Sequence, residues 1–373
     1  MECKNCLLNS LEVGELELNS DGICNYCLSY RNDEKLYQFL NEGDSAKYDE
    51  IIQKLKNEGK GKKYDTILGV SGGVDSSYLA LKLKESGLRV LLYHYDNGWD
   101  SELAVKNIQN LSEVLNFDLH TIVVDWNEFR DIQLAYLKAG VIDIEAITDH
   151  SAIFATKLVA KKFGIQNIVG GHNFVTESIL PKSWIYPNKG DWYNFKDIHR
   201  KFGQMKLKSV PVDNLFYHLY FRYFYKIKWH YPLNYLKYEK NFVIQELESK
   251  IGWKNYGGKH YESVWTRFYQ GYILPKRYGI DKRKAHLSNL ICSGQITKQQ
   301  ANKLLEEPIY DPSLFKKDYE FVCKKFGVSE SQFEELLSLP KKSHYDFDYQ
   351  KPLKDRYPIL KPLLKLRSII IKK

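Results

Sequence analysis

Between Tyr64 and Gly87 the chain reads YDTILGVSGGVDSSYLALKLKESG, and this stretch decides the fold. Thr66 to Val70 form an apolar run, Ser-Gly-Gly interrupts it, and Leu79, Ala80, Leu81 and Leu83 form an apolar pattern that stops at Gly87. That order predicts a strand, a tight loop and a helix. In such a unit the N–H groups of Gly72 and Gly73, the hydroxyls of Ser71, Ser76 and Ser77 and the positive end of the helix make an anion site suited to phosphate. The G-x-x-x-x-G-K-[ST] spacing of a Walker A loop is absent and no lysine follows the glycines, so Asp75 is a candidate Mg2+ ligand through which part of the anion is held. A plain turn is the competing reading of Ser-Gly-Gly; the whole SGGVDSS between a strand and a helix favours the site.

Outward from the loop, strand and helix patterns alternate. RVLLYHYDNGWDS (Arg89 to Ser101) gives a second strand, and DLHTIVVDW and IQNIVGGH give two more. Helical patterns lie around Asp49–Asn57, Glu128–Ala139 and Ser151–Phe163. This is an α/β pattern and predicts a doubly wound parallel sheet whose ligands lie at the carboxyl ends of the strands. Asp96 with Asn97, Asp125, and the turn Gly170, Gly171, His172, Asn173 then share one edge. Gly170 and Gly171 either admit a nucleotide or only turn the chain. Asn173 and Glu177 are candidate substrate contacts, and His172 is a candidate catalytic group.

Cys3, Cys6, Cys24 and Cys27 form two C-x2-C pairs, the arrangement of four thiolates that Zn2+ takes in a structural ribbon. Two redox dithiols or an iron–sulfur site are the competing readings. Cys292 and Cys323 lie in helical patterns and read as packing residues. The 373 residues, 43% of them hydrophobic, suffice for one substantial α/β domain with smaller attachments. The expected boundaries are a knuckle over 1–32, a helical linker over 33–63, the loop-bearing domain over 64–180, an aromatic and basic insert over 181–240, a helical region over 241–340 and a basic tail over 341–373. The net charge of +9 suits phosphorylated small molecules, nucleic acid or an acidic membrane equally. The lack of a signal or spanning segment predicts a cytoplasmic protein.

The insert interleaves aromatics with Arg, Lys and His, which suits nucleobases, sugars or a membrane interface, but a buried packing surface explains it better. The following block, YGGKHYESVWTRFYQGYILPKRYGIDKRKAHLSNLICSGQIT, is dense in cations. A glycine loop without its own lysine needs cations from elsewhere, and Lys282 and Arg283 are the candidates; a solvated basic face is the alternative. Lys259 and His260 are candidate substrate contacts. Thr297 and Gln300 predict a capping box. The tail, YPILKPLLKLRSIIIKK, packs on the domain or a partner, with membrane contact peripheral at most.

SGGVDSS resembles the PP-loop of the ATP pyrophosphatases, which include GMP synthetase and NAD synthetase. The resemblance implies cleavage of ATP between its α and β phosphates. With the cysteine knuckle, the GGHN turn and the C-terminal block, most of the chain resembles the N-acetyl sugar amidotransferases of surface polysaccharide and nonulosonic acid biosynthesis. What this implies is ATP-dependent conversion of an acetamido group into an acetamidino group, with ATP, Mg2+ and structural Zn2+. Asp96, His172 and Glu177 are the candidates for the base. No G-x-C-x-G elbow is present, so the resemblance implies a separate glutaminase subunit and a cyclase-like companion as the ammonia source. Two rivals stand beside this reading: a tRNA-thiolating PP-loop enzyme, against which Val74 stands where an SGGKDS loop carries lysine, and a zinc-ribbon RNA-binding protein with an inactive nucleotide fold, against which the intact loop argues. Nucleic acid is not the favoured partner.

Overall fold

The computed structural model describes residues 1–35, 46–258, 261–351 and Arg356. In chain order the elements are α1 (Asn25–Glu34), α2 (Ala46–Glu58), β1 (Thr66–Gly69), α3 (Val74–Glu85), β2 (Val90–Asp96), α4 (Glu102–Leu115), β3 (Asp118–Val123), α5 (Trp126–Ala139), α6 (Ala146–Lys162), β4 (Asn167–Val169) and α7 (Phe174–Glu177). They continue with α8 (Trp192–Phe202), α9 (Leu215–Leu219), β5 (Lys228–His230), α10 (Lys240–Ile251), α11 (Val264–Phe268), α12 (Arg283–Cys292), α13 (Lys298–Leu305), α14 (Pro312–Phe326) and α15 (Glu330–Ser338).

The five strands form one parallel sheet in the order β3-β2-β1-β4-β5. Alternation along the strands divides the buried side chains between two faces, as the two-residue period of a strand requires. Leu68 and Leu92 enter the larger core with Leu79 and Leu83 of α3, while Ile67, Leu91, Tyr93 and Ile168 pack with Ala155 and Val159 of α6. Helices therefore cover both faces, which is the doubly wound sheet expected. β1 pairs Leu68 with Leu92 on one side and with Val169 on the other. The strand order turns back between β1 and β4, and a crevice opens there at the carboxyl ends.

Local chemistry sets the element ends. Ser101 caps α4 by accepting from the Ala104 N–H, and Asn116 closes it in the left-handed region. Asp125, expected on the site edge, is instead the cap of α5: its carboxylate accepts from the N–H groups of Asn127 and Glu128 at 2.9 and 3.1 Å. α6 starts at Ala146, before the expected Ser151, because the polar Thr148 and Asp149 belong to its first turns and face a cavity. Thr297 and Gln300 form the expected capping box.

The core is continuous from Cys3 to Phe347, so the knuckle, sheet and C-terminal helices share one interior. The aromatic insert contributes β5 to the sheet and buries Trp184, Tyr186, Phe195 and Phe221. Much of the expected tail, 352–355 and 357–373, lies outside the described residues. Among the described residues no helix is long and apolar enough to cross a membrane.

Gly72 has φ +77° and an added Cβ would stand 2.6 Å from the Ala104 carbonyl oxygen, whereas Gly164, at φ +69°, faces open space. Gly164→Ala is expected to cost about 1–2 kcal/mol from the left-handed backbone alone. Gly72→Ala should cost clearly more in urea unfolding, since α4 must also move.

Candidate active site

The Ser71–Ser76 loop leaves β1 at the crevice and is held from beneath by distant residues. The Gly72 carbonyl accepts from the Trp253 indole N–H at 2.9 Å and from Asn107 at 3.4 Å. Above, the Gly73 N–H donates to Ser71 Oγ at 3.3 Å and the Val74 N–H to the Tyr256 hydroxyl at 3.2 Å. Neutral oxygens thus sit where the start of α3 favours an anion. Asp75 is fixed through Oδ1, which accepts from Asn173 Nδ2 at 3.1 Å and from the Tyr238 hydroxyl.

Two cavities meet at the loop and share Ser71 and Glu262. The first, about 490 Å³, lies in the crevice between β1, β2 and β4 and is lined by Gly69 to Ser71, Tyr93 to Tyr95, Gly170 and Trp229. One end of it is charged, with Glu145, Asp149, Lys189 and Lys282. Burial raises the Glu145 carboxyl to about 7, while the Thr266 hydroxyl, which donates to it at 2.5 Å, pulls the other way. Burial also lowers the Lys282 ammonium below the usual lysine range, partly opposed by Glu145. For Lys189 burial is outweighed by Asp149 and Asp143, whose carboxylates stand 2.5 and 3.1 Å away, and its pKa is raised. At the end of β2, His94 has Nδ1 3.0 Å from the Val70 carbonyl and Nε2 3.1 Å from Asp100. Two acceptors favour the imidazolium, and although burial opposes it, Asp100 raises the His94 pKa.

The second cavity, about 540 Å³, is lined by Gly73 to Ser76, Gly171, Glu177, Tyr238, Tyr256 and, from α12, His286, Leu287 and Leu290. Its polar side is the loop and its apolar side is the helix.

The structure brings together Ser71, Gly73, Asp75, Ser76, Gly170, Gly171, Glu177 and Lys282 as walls of these cavities. Gly72 sits one layer deeper with its carbonyl pinned, and Ser77 is fully buried beneath the loop. Both GGHN glycines are pressed by protein: a Cβ at Gly171 would meet the Ser76 N–H nitrogen at 2.9 Å and one at Gly170 the Tyr231 ring at 2.9 Å. Asn173 is buried, holding Asp75 and capping α7 through the Thr176 N–H. His172 pairs with Glu177 on the outer side of the turn. Asp96 accepts from the Gly98 N–H at 2.8 Å, in the turn after β2. Arg283 is turned away from both cavities: its guanidinium pairs with Asp281 at 2.9 Å and donates to the carbonyls of Glu307 and Leu305, so its charge is spent where the start of α12 meets the end of α13. Lys259 and His260 lie outside the described residues. Sequence reasoning did not select His94, Glu145, Lys189, Trp229 and Glu262.

The four knuckle cysteines are buried with their sulfurs within 4.8 Å of one another, and among the described residues they are the only such cluster of three or more Cys, His, Asp or Glu. Cys3–Cys27 and Cys6–Cys24 are 3.9 and 3.7 Å apart. A tetrahedron with Zn–S bonds of about 2.3 Å has edges of about 3.8 Å, so the site fits Zn2+. The N–H groups of Cys24 and Cys27 point at Cys3 and Cys24 sulfurs, as in thiolate sites. Mg2+ needs one or two carboxylates beside phosphate oxygens, and Asp75, held on the wall of the second cavity, fits that demand. Cys292, at the end of α12, is 3.6 Å from Cys27. Around it Asn5 donates to Cys292, the Leu7 N–H to Ser288 at 3.2 Å, and Lys298 to the Cys3 carbonyl at 2.6 Å. The knuckle therefore braces the outer face of the helix whose inner face lines the second cavity.

Residues 262–361 match the family described as LPS biosynthesis protein WbpG-like, C-terminal domain. Among curated proteins no sequence matches this chain. The solved structure of NMN synthetase from Francisella tularensis aligns with 79% of this chain and 98% of its own at 14% identity, with a TM-score of 0.31, too low to bear on the argument.

Metal analysis is expected to find about one zinc per chain, a closed four-thiolate site holding a single ion. Cys24→Ser should lose the metal and lower the melting temperature, whereas Cys292→Ser should retain it, because Cys292 adjoins a complete set of four.

Proposed function

We propose that this chain is the synthetase subunit of an ATP-dependent amidotransferase of the PP-loop class, acting in the cytoplasm on an N-acetylated sugar for LPS or a related surface polysaccharide. The observation that carries the reading is the SGGVDSS loop, set at the switch point of a parallel sheet where two cavities join, in a chain whose C-terminal region is WbpG-like. AMP plus pyrophosphate as products, the acetamidino product, and ammonia from a glutaminase subunit with a cyclase-like companion are parts of the same proposal.

In this reading adenosine occupies the first cavity beside Trp229 and the Gly170 backbone, and the β and γ phosphates cross Ser71 to the loop, where the N–H groups of Gly73 and Val74 exchange their neutral partners for phosphate oxygens. Mg2+ at Asp75 supplies charge neutralisation of the leaving pyrophosphate. The acetamido oxygen bonds to the α phosphorus as the bond to the β-phosphate oxygen breaks. Ammonia adds to the imidate carbon and gives up a proton, and AMP leaves with the former carbonyl oxygen. Lys282 faces the AMP charge from the cavity wall. Glu145, poised near neutrality and oriented by Thr266 on the wall of the first cavity, is the acceptor for that proton in this reading; Asp96 and His172 line neither cavity, and Glu177, on the wall of the second, is paired with His172.

The test uses purified protein with Mg-ATP, an ammonium salt and a panel of N-acetylated nucleotide sugars and free nonulosonates, following pyrophosphate and product mass. Pyrophosphate release with a loss of about 1 Da, oxygen replaced by NH, is the expected outcome. Silence on every sugar with AMP formation stimulated by tRNA would assign the thiolation class instead. Asp75→Ala should keep the fold and abolish pyrophosphate release. For the wild type, activity should rise with pH through about 7, because the protonated Glu145 carboxyl accepts no proton; Glu145→Gln should flatten that limb and lower kcat by about 10²-fold or more.

A further inference from the structure

The aromatic insert is only partly absorbed by the core. Phe221 alone between Leu215 and Phe224 is buried, packed against Phe154 of α6, while Phe216 is 83% and Phe224 78% exposed. Tyr217, Leu219 and Tyr223 are exposed as well. The result is a helical knob, α9 and its continuation to Phe224, held on α6 through Tyr217 and Phe221 against Phe154, with Phe216, Leu219, Tyr223 and Phe224 presented outward. Such contiguous apolar exposure on a soluble domain marks an interaction surface.

Its charge is one-sided. From Asn214 to Tyr238 the chain carries no Asp or Glu, but it carries Arg222, Lys226, Lys228 and Lys237. On the adjacent face of α6, Lys161 lies 4.7 Å over the Tyr220 ring. Asp213, just before the knob, pairs with Lys157 at 2.8 Å, and Lys228 is itself held by Glu58 at 2.9 Å, so Arg222, Lys226 and Lys161 are the cations beside the rings. Tyr, Phe and Leu at the tip with Arg and Lys around it is the composition that settles at a headgroup boundary, apolar rings inward and cations at the phosphates. An acidic protein groove would gain from the same charge but would also need a concave face complementary to these rings, which a lipid surface does not.

We propose that this knob docks the protein reversibly on an anionic membrane surface. The inference is independent of the chemistry assigned to the cavities, because none of the knob's exposed apolar residues lines either of the two cavities at the loop.

Flotation of the full chain with phosphatidylcholine vesicles, and with vesicles containing anionic phosphatidylglycerol, tests it. The chain should float with the anionic vesicles and not with the neutral ones, and Phe216→Ser/Phe224→Ser should weaken that binding by roughly tenfold or more, since two ring burials are lost. Melting temperature and zinc content of the double variant should match the wild type. Absence of binding to anionic vesicles overturns the proposal. Unchanged binding of the double variant also overturns it, assigning attachment to the basic tail. A protein complex that the double variant loses, without vesicle binding in the wild type, would make the knob a protein interface instead.

Discussion

The parallel pairing of β1 with β2 on one side and β4 on the other is the constraint on which the rest of the site depends. Because β1 is central and the chain crosses to opposite sides of it, the loop after β1 and the turn after β4 must emerge together. Gly171 then presses on the backbone of Ser76 with no room for a side chain, and Asn173 reaches Asp75. One register choice in three strands thus fixes the start of α3, the orientation of its carboxylate and the mouth of both cavities.

Charge is handled differently on the two sides of that mouth. At the loop, positive character comes from backbone N–H groups and a helix end, with hydroxyls as their present partners. In the crevice it comes from Lys189 and Lys282 set among Glu145, Asp149 and Asp143, so that neighbouring groups are driven in opposite directions: the Lys282 ammonium weakened by burial, the Lys189 ammonium reinforced by Asp149 and Asp143 against its own burial. Pairs of groups pushed apart in this way are a common mark of sites where protons move.

What could be read in the sequence was whatever depends on contiguous residues. The strand, loop and helix around SGGVDSS, the alternation behind a parallel sheet, the two C-x2-C pairs and the Thr297 capping box are all local patterns. Glu145 and Lys189 were not legible, because each is an ordinary polar residue at the edge of a helix or turn, and only the fold sets them against Thr266 and Asp149. His94 was hidden inside the strand pattern of RVLLYHYD. Arg283 shows the opposite failure: a dense run of cations says nothing about which way each one points, and here Asp281, two residues earlier, claims the guanidinium. Cys292 reads as packing and does pack, but against the knuckle, a contact 265 residues away in the chain.

The bonds beneath the loop carry a further implication. Trp253 holds the Gly72 carbonyl across 181 residues of sequence, and the Tyr256 hydroxyl meets Val74 across 182. The SGGVDSS loop is therefore not a portable cassette. A shorter chain ending after β4 would keep every letter of SGGVDSS and lose the floor and roof that give it shape. The C-terminal half is correspondingly tethered: the Trp253–Tyr256 segment answers to the loop.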